Sequence, residues 1–166
     1  FPVAATFFLS HYHPGNNKYV RLNSGLQEDI VESNDPFYST HLGSIFCCDS
    51  YELVKGIKSD SVDLIITSPP FDLIRQKSYG NLQGQEYQKW IIKHCKEYFR
   101  VLKPTGSLVL DLGGGWTEGS PTKNLYEYRL LLALVDNIGF HLAQDCFWWD
   151  PSRLPTPAQW VNVTRE

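Results

Sequence analysis

The tetrapeptide S-P-P-F at residues 68–71 places hydrogen-bond acceptors beside an aromatic ring. Two consecutive prolines fix φ and remove two N–H donors, and the residue before a proline is held in an extended conformation. The hydroxyl of Ser68 and the carbonyl oxygens of Ser68 and Pro69 therefore form a stiff shelf of acceptors, with Phe71 available to stack on a planar ligand. Such a shelf suits a flat ring that bears an exocyclic NH2 group.

Two carboxylates are further candidates for chemistry. Asp49 follows an apolar run, and Asp111 lies in S-L-V-L-D-L, directly before a series of three glycines at residues 113–115. Glycine lets a backbone approach a ligand closely. The spacing is not G-x-G-x-x-G, so it does not indicate a dinucleotide site. Asp49 can also be explained as the cap of the helix that follows it. Trp116 can wall a pocket or serve as a core or lid aromatic.

The elements that would position these residues alternate between strands and helices. The run V-D-L-I-I-T at residues 62–67 is almost wholly apolar, which is typical of a parallel strand covered on both faces. Apolar positions at i, i+3 and i+4 predict a helix over residues 86–102. Further strands are predicted at 44–48, 107–112 and 140–149, and further helices at 51–57 and 123–138, the last capped by Gly139. This order predicts an α/β domain with a mostly parallel sheet.

The candidate residues converge at one edge of that sheet. Ligands of open α/β sheets bind beyond the carboxyl ends of the strands. Asp49, the shelf at residues 68–71 and the segment from Asp111 onward all lie at or just after predicted strand ends. We therefore expect them to form a single site.

Composition excludes several classes of protein. The chain has 166 residues, of which 42% are hydrophobic, and a net charge of -3. These values exclude a disordered tail and a coiled coil, and no apolar run approaches the about 20 residues that span a bilayer. An acidic balance argues against binding nucleic acid by charge alone. The four cysteines form no C-x-x-C, which favours a reduced, intracellular chain. The H-x-H at residues 11–13 has no further metal ligands at a suitable spacing, so no metal site is predicted.

Several motifs in this order resemble the amino-methylating DNA methyltransferases. The serine that begins S-P-P-F is typical of the cytosine-N4 branch of restriction–modification enzymes, whereas adenine-N6 enzymes more often begin this motif with Asp or Asn. The segment G-S-I-F-C-C-D-S-Y-E-L at 43–53 resembles the third strand of the family and its acidic end. L-K-P-x-G at 102–106 resembles the segment leading into the fifth strand, while Y-G-N at 79–81 and W-x-P-S-x-L-P at 149–155 are similar to cytosine-N4 enzymes.

This resemblance implies a Rossmann-like, S-adenosylmethionine-dependent methyltransferase fold, double-stranded DNA as partner and no metal. A cytosine flipped out of the duplex would donate its amine to the shelf, and the methyl group would be transferred directly, without a cysteine nucleophile. The implied sites are catalytic residues Ser68, Pro69, Pro70 and Phe71; cofactor-binding residues Asp49, Ser50, Thr67 and Ser68; a base pocket of Asp111, Gly113, Gly114 and Trp116; and DNA contacts from Arg75 and Lys77. For these two basic residues a solvated loop is the alternative.

One motif of the family is missing. No glycine-containing strand–turn of the F-x-G-x-G kind, which would hold the methionine part of the cofactor, occurs in the sequence. In permuted enzymes of this branch the catalytic motifs come first, so we expect only the catalytic part here. The strand at 44–48 would then have no neighbour, and the edge of the strand at 62–67 would be open. We expect a remaining part with target recognition and the glycine motif, as a second polypeptide or as further sequence.

The expected organisation has three parts: an N-terminal extension, largely loop, at residues 1–42, a catalytic subdomain at 43–150 and the start of a link to target recognition at 151–166. The chain begins with Phe1 and contains no Met, which suggests part of a larger object. We expect a cytoplasmic, bacterial, DNA-associated protein. Three alternatives stay open: adenine-N6 specificity, a non-catalytic subunit that binds DNA or a partner, and methylation of a protein amide nitrogen.

Overall fold

The computed structural model describes residues 4–10, 36–72, 82–115, 117, 120 and 122–148. The predicted site residues Arg75, Lys77 and Trp116 lie outside the described residues, as do His11 and His13. The elements in chain order are β1 (Ala4–Ser10), β2 (Tyr38–Thr40), β3 (Gly43–Ile45), α1 (Ser50–Lys55), β4 (Val62–Thr67), α2 (Gly84–Val101), β5 (Leu102–Gly113), α3 (Tyr126–Ala133), continued by a π-helical turn (Leu134–Ile138), and β6 (His141–Trp148).

The main sheet has four strands in the order β4-β5-β1-β6. β4 and β5 are parallel, with Thr67 opposite Leu110. β1 lies antiparallel between β5 and β6, so that β4, β5 and β6 all run in the same direction. As expected, β4 forms an edge of this sheet among the strands of the described residues. Its carboxyl end lies beside that of β5, which is where the sequence placed the site.

One face of the sheet is closed by α2 and α3. Leu108, Leu110 and Leu112 alternate along β5 and are all fully buried. They pack against one side of α2 and α3, in a core that contains Tyr87, Ile91, Cys95, Tyr98, Tyr126, Leu130, Leu134, Phe140 and Leu9 of β1. This period of two on the strand, combined with the helical stripe that was predicted on α2, creates the core.

The opposite face of the sheet is open in the part of the chain that the structure describes. Leu64 and Ile66 of β4 are 51% and 70% exposed, and their neighbours Ser107 and Val109 on β5 are half-buried. The prediction that residues 62–67 are covered on both faces is therefore wrong for this chain. β4 is apolar on both faces, but its packing against the core is on the face of Ile65, which is opposite the buried Leu108.

The predicted elements agree closely with the observed ones between residues 50 and 148. β4 has the predicted bounds, and α2 begins and ends within two residues of its prediction. α3 passes into a π-helical turn that ends at Gly139, whose φ of 104° lies in the left-handed region that favours glycine. β5 begins at Leu102, directly after α2 and earlier than the predicted start at residue 107, so that Pro104 lies within the strand.

Arg100 ties α1 to α2. Its guanidinium donates to the carbonyl oxygens of Val54 and Ile57 at 2.9 Å and to that of Lys55 at 3.3 Å, and it pairs with Glu97 at 2.7 Å. A helix leaves its last carbonyl groups without partners, and a cation is favourable at that end. Arg100 thus completes the carboxyl end of α1 and fixes this short helix to the covered side of the domain.

The region before β4 differs from its prediction. Residues 44–48 were expected to form a buried strand without a neighbour; instead β3 pairs with β2 in a separate two-stranded sheet, and Ile45 is 60% exposed. Cys47 and Cys48, which follow β3 in the run that was predicted to be a buried strand, are exposed, whereas Cys95 of α2 is buried. Within the expected loop extension, residues 4–10 form β1, an inner strand of the main sheet. The domain boundaries themselves stay a prediction.

None of the helices among the described residues is long and apolar enough to cross a membrane.

Candidate catalytic site

The pairing of β4 with β5 brings Ser68 and Asp111 together. Ile66 is opposite Val109 and Thr67 is opposite Leu110, so Ser68, the next residue, follows on the same open face as Ile66 and comes beside Asp111. The Ser68 hydroxyl donates to Oδ2 of Asp111 across 3.4 Å. This hydrogen bond orients the hydroxyl proton towards the carboxylate and leaves the oxygen lone pairs of Ser68 as acceptors. Two predicted site residues, 43 positions apart, are thus joined as expected.

Phe71 and Gly113 form a tight contact at the floor of the site. A Cβ on Gly113 would lie 2.6 Å from Cδ2 and Cε2 of the Phe71 ring, a distance that real side chains do not tolerate. Glycine is therefore required at residue 113 for the ring to lie where it does. Phe71 is half-buried and packs against the core. The ring of Phe71 thus lies against the start of the glycine series at residues 113–115.

The contacts around Phe71 and Gly113 continue into residues that the sequence did not reveal. Asp72, which follows the shelf, is 6% exposed, and its Oδ2 accepts a hydrogen bond from Asn124 at 3.4 Å. The backbone N–H of Asn124 donates to the carbonyl of Gly115 at 3.1 Å. The phenol of Tyr126 donates to the carbonyl of Gly113. The sequence offered one local signal for these residues, Asn124 near the start of a predicted helix. Asn is common at that position in helices, so it did not indicate a functional site.

Tyr126 is a neutral donor in this environment. Burial, together with the nearby Tyr87, Glu127 and Asp72, raises the pKa of Tyr126 well above its usual value of 10.0. The rings of Tyr87 and Tyr126 meet edge to face, with their centroids 5.3 Å apart. The Tyr87 phenol is also buried, which raises its pKa, but its oxygen has no hydrogen-bond partner among the described residues. The two adjacent tyrosines therefore differ in one respect: only the Tyr126 hydroxyl bonds to the strand that carries Asp111.

Asp49 caps α1 and stands apart from the shelf. Its Oδ1 accepts the backbone N–H groups of Tyr51 at 2.8 Å and Glu52 at 3.2 Å, which confirms the capping interpretation. Ser50 is the first residue of α1. No hydrogen bond joins Asp49 or Ser50 to Thr67 or Ser68 in the described part of the chain. Because Asp49 is exposed and both bonds use Oδ1, its Oδ2 faces no competing donor among the described residues.

Comparison with known proteins identifies the family. A profile of the family described as DNA methylase matches residues 62–166, which include the whole Ser68–Asp111 site. The chain belongs to the DNA methylase family. The resemblance seen in the sequence is therefore confirmed. The match begins at the first residue of β4, so the hairpin and Asp49 lie before it.

The chain is similar to proteins named as type II methyltransferases. It is 44% identical over 144 residues to the methyltransferase M.PvuII of Proteus hauseri, a match that covers 82% of this chain and 43% of that protein. It is 31% identical over 100 residues to M.BglII of Bacillus subtilis, covering 58% of this chain and 28% of that protein. The chain thus spans less than half the length of these relatives.

A solved structure has the same fold. The PvuII DNA methyltransferase, described as cytosine-N4-specific, superposes with a TM-score of 0.64 and 43% sequence identity, covering 77% of this chain and 45% of that one. At this identity the likeness confirms the predicted α/β methyltransferase fold over the region covered. The roles of the individual site residues rest on the geometry described above.

Proposed function

We propose that this chain is the catalytic part of a site-specific DNA methyltransferase that transfers a methyl group to the N4 amine of cytosine. The Ser68–Asp111 hydrogen bond at the carboxyl ends of two parallel strands carries this proposal. The family supports methylation of DNA, and the cytosine-N4 specificity named for the similar PvuII enzyme supports the choice of base. S-P-P-F at residues 68–71 favours the same branch.

The proposed chemistry follows from the acceptors on the shelf. The amine of cytosine is a poor nucleophile because its nitrogen lone pair is delocalised into the ring. Ser68 and the carbonyl of Pro69 accept hydrogen bonds from the NH2 group, which favours tetrahedral nitrogen and stabilises the positive charge that develops there. As the new N–C bond forms, the bond between the methyl carbon and its donor would break and leave its electron pair on the donor. The surplus proton of the amine passes towards Ser68, whose own proton is already directed at Asp111. The carboxylate of Asp111 is thus the terminal acceptor.

The residues at the strand ends fit part of an S-adenosylmethionine site. This cofactor, when bound, supplies the methyl group. Asp49 has an exposed carboxylate oxygen that its cap interactions do not use, which suits a hydroxyl or amine donor of the adenosine part. Ser50, Thr67 and Ser68 complete the set proposed from sequence. A second part of the protein must hold the methionine end, because the glycine motif is absent from these 166 residues.

We further propose that this second part covers the open face and the free edge of β4. Leu64 and Ile66 expose apolar side chains to water, and the edge of β4 has no neighbouring strand among the described residues, which invites strand addition. The short coverage of the relatives supports a missing partner segment, whether a second polypeptide or further sequence. Double-stranded DNA is the proposed substrate, with Arg75 and Lys77 as proposed phosphate contacts.

The test of the activity is methyl transfer by the Ser68→Ala variant. Loss of the hydroxyl should lower kcat by about 100-fold, the effect of removing one aligned hydrogen-bonding group from a polar transition state, while DNA affinity stays within about threefold. Ser61→Ala, which removes a turn hydroxyl that donates to Lys58, is the matched control and should leave kcat unchanged. An unchanged kcat for Ser68→Ala would refute the role of this serine.

The base is tested by mass analysis of nucleosides from methylated DNA. We expect N4-methylcytosine. N6-methyladenine as the sole product would refute the choice of base but keep the reaction. No methyl transfer in the presence of the missing part would favour a non-catalytic subunit.

The missing part is tested by producing residues 1–166 alone and together with that part. We expect tight binding of S-adenosylmethionine only in the second case. A stable monomer of residues 1–166 that binds the cofactor tightly would contradict this proposal.

A further inference from the structure

Three side chains connect the two walls of the proposed base pocket: Asp72 and Tyr126 are buried, and Asn124 is half-buried. We call residues 68–71 the shelf and residues 113–115 the glycine segment. Asp72 adjoins the shelf, whereas Asn124 and Tyr126 lie at the start of α3. The side-chain hydrogen bonds of these three residues go to one another and to backbone groups. We therefore expect them to affect catalysis through the residues that they position. The inference rests on the proposed function and adds the residues that fix the geometry of its site.

Asp72 is an anchor on the shelf side. Its Oδ1 accepts the backbone N–H of Gly84, the first residue of α2, at 3.0 Å, and its Oδ2 accepts from the amide of Asn124 at 3.4 Å. A carboxylate that is 6% exposed must have such donors, because a buried charge without partners is strongly unfavourable. The position of the shelf is thereby fixed relative to both α2 and α3.

Asn124 carries this connection to the glycine segment. Its backbone N–H donates to the carbonyl of Gly115, and its Oδ1 accepts the N–H of Tyr126 at 3.2 Å. The contact is close enough to require glycine: a Cβ on Gly115 would lie 2.6 Å from Nδ2 of Asn124 and 2.7 Å from the carbonyl oxygen of Asp72. The end of the shelf and the glycine segment therefore touch around Asn124 with no room for a side chain between them.

Tyr126 makes a second connection two residues earlier in the glycine segment. Its phenol donates to the carbonyl of Gly113, the residue against which Phe71 packs. Gly113 is two residues from Asp111 on the same strand, so this bond fixes the end of β5 next to the Ser68–Asp111 pair.

We propose that Asp72, Asn124 and Tyr126 are positioning residues that hold the shelf and the glycine segment together while the target base occupies the pocket. Catalysis by alignment is sensitive to displacements of about 1 Å, and the bond between Ser68 and Asp111 is already long at 3.4 Å. A small separation of the two walls would break it. The three side chains prevent that separation.

A reciprocal exchange tests Asp72 and Asn124 in the active enzyme. Asp72→Asn alone places two NH2 groups face to face, and Asn124→Asp alone places two carboxylates face to face. The double variant Asp72→Asn/Asn124→Asp restores one donor and one acceptor, and it keeps acceptors for Gly84 and for the N–H of Tyr126. We expect kcat to fall about tenfold in each single variant with the KM for DNA unchanged, and to return to within about threefold of wild type in the double variant.

A matched pair of tyrosines tests the second connection. Tyr126→Phe removes the bond to Gly113, whereas Tyr87→Phe removes a hydroxyl from the neighbouring buried ring that has no partner among the described residues. We expect kcat to fall about tenfold in the first variant and to stay unchanged in the second, again with an unchanged KM for DNA.

The outcomes separate this inference from the function on which it rests. Recovery of kcat by the double variant supports the positioning role. A double variant that melts at the wild-type temperature but stays as slow as the single variants would overturn it, as would single variants with wild-type kcat. Wild-type enzyme that transfers no methyl group would instead overturn the proposed function, and the positioning role with it.

Discussion

The two faces of the main sheet carry similarly apolar residues but differ in burial. On the covered face Leu108, Leu110 and Leu112 are fully buried beneath α2 and α3. On the open face Ile66 is 70% exposed although its sequence is just as apolar. The open face also carries the Ser68–Asp111 pair. An apolar sequence therefore does not by itself tell whether a residue is buried. Among the described residues, only one of the two faces of the sheet is covered by helices.

The comparison predicts unequal costs for equal truncations. Leu110→Ala should lower the free energy of unfolding by about 2–5 kcal/mol, because it leaves a cavity in a closed core. Ile66→Ala should lower it by less than about 1 kcal/mol, because its side chain is mostly in water already. Urea unfolding of both variants measures this difference. Both variants are measured in residues 1–166 alone, where equal losses would contradict the open face. In the presence of the proposed second part, which covers this face, the loss from Ile66→Ala should grow.

The next prediction concerns charge on the open face. Asp111→Asn keeps the size of the side chain but removes the charge that receives the Ser68 proton, so kcat should fall by about 100-fold, with stability little changed. Asp63→Asn is the control: this exposed carboxylate pairs with Lys103 at 2.8 Å, and such surface pairs contribute little. A steady-state methylation assay on both variants decides the point. Equal activity of the two variants would remove Asp111 from the proposed mechanism.

The same contrast explains what could be predicted from sequence. β4 was predicted with its observed bounds because an apolar, β-branched run ended by two prolines is a local signal. β1 was missed because its identity as an inner strand depends on pairing with residues 107–113, about 100 positions away. The burial of Leu64 and Ile66 was predicted wrongly because the pattern of an apolar strand does not reveal which faces a given piece of chain can cover.

The candidate site shows the same division. Ser68, Phe71, Asp111 and Gly113 were predicted because each lies at or directly after the end of a recognisable strand. The hydrogen bond between Asp72 and Asn124 joins residues 52 positions apart, and neither residue belongs to a motif. Side chains that act through tertiary contacts leave no periodic or local pattern, so only the structure reveals them.

The cysteines of the chain differ in burial in the same way. Burial raises the pKa of the Cys95 thiol from 9.0 to about 12, whereas Cys47 and Cys48 are exposed. Since the thiolate is the reactive form, iodoacetamide at pH 8 should modify Cys47 and Cys48 while Cys95 reacts only after unfolding. Mass spectrometry of digested protein measures this. Early modification of Cys95 would contradict the closed core.

Alkaline pH should destabilise the fold through Cys95 and Tyr98, two buried groups of α2. Burial raises the pKa of Tyr98 as well, from 10.0 to about 12. Both side chains are neutral when protonated, and in the unfolded chain each loses its proton at a lower pH than in the fold. Their contribution to stability is therefore complete below about pH 9 and is lost as the pH rises towards 12. Urea unfolding at pH 8 and pH 10.5 should show the lower stability at pH 10.5, and Cys95→Ala should reduce this dependence. An unchanged pH dependence in that variant would mean that Cys95 is not the group that couples burial to pH.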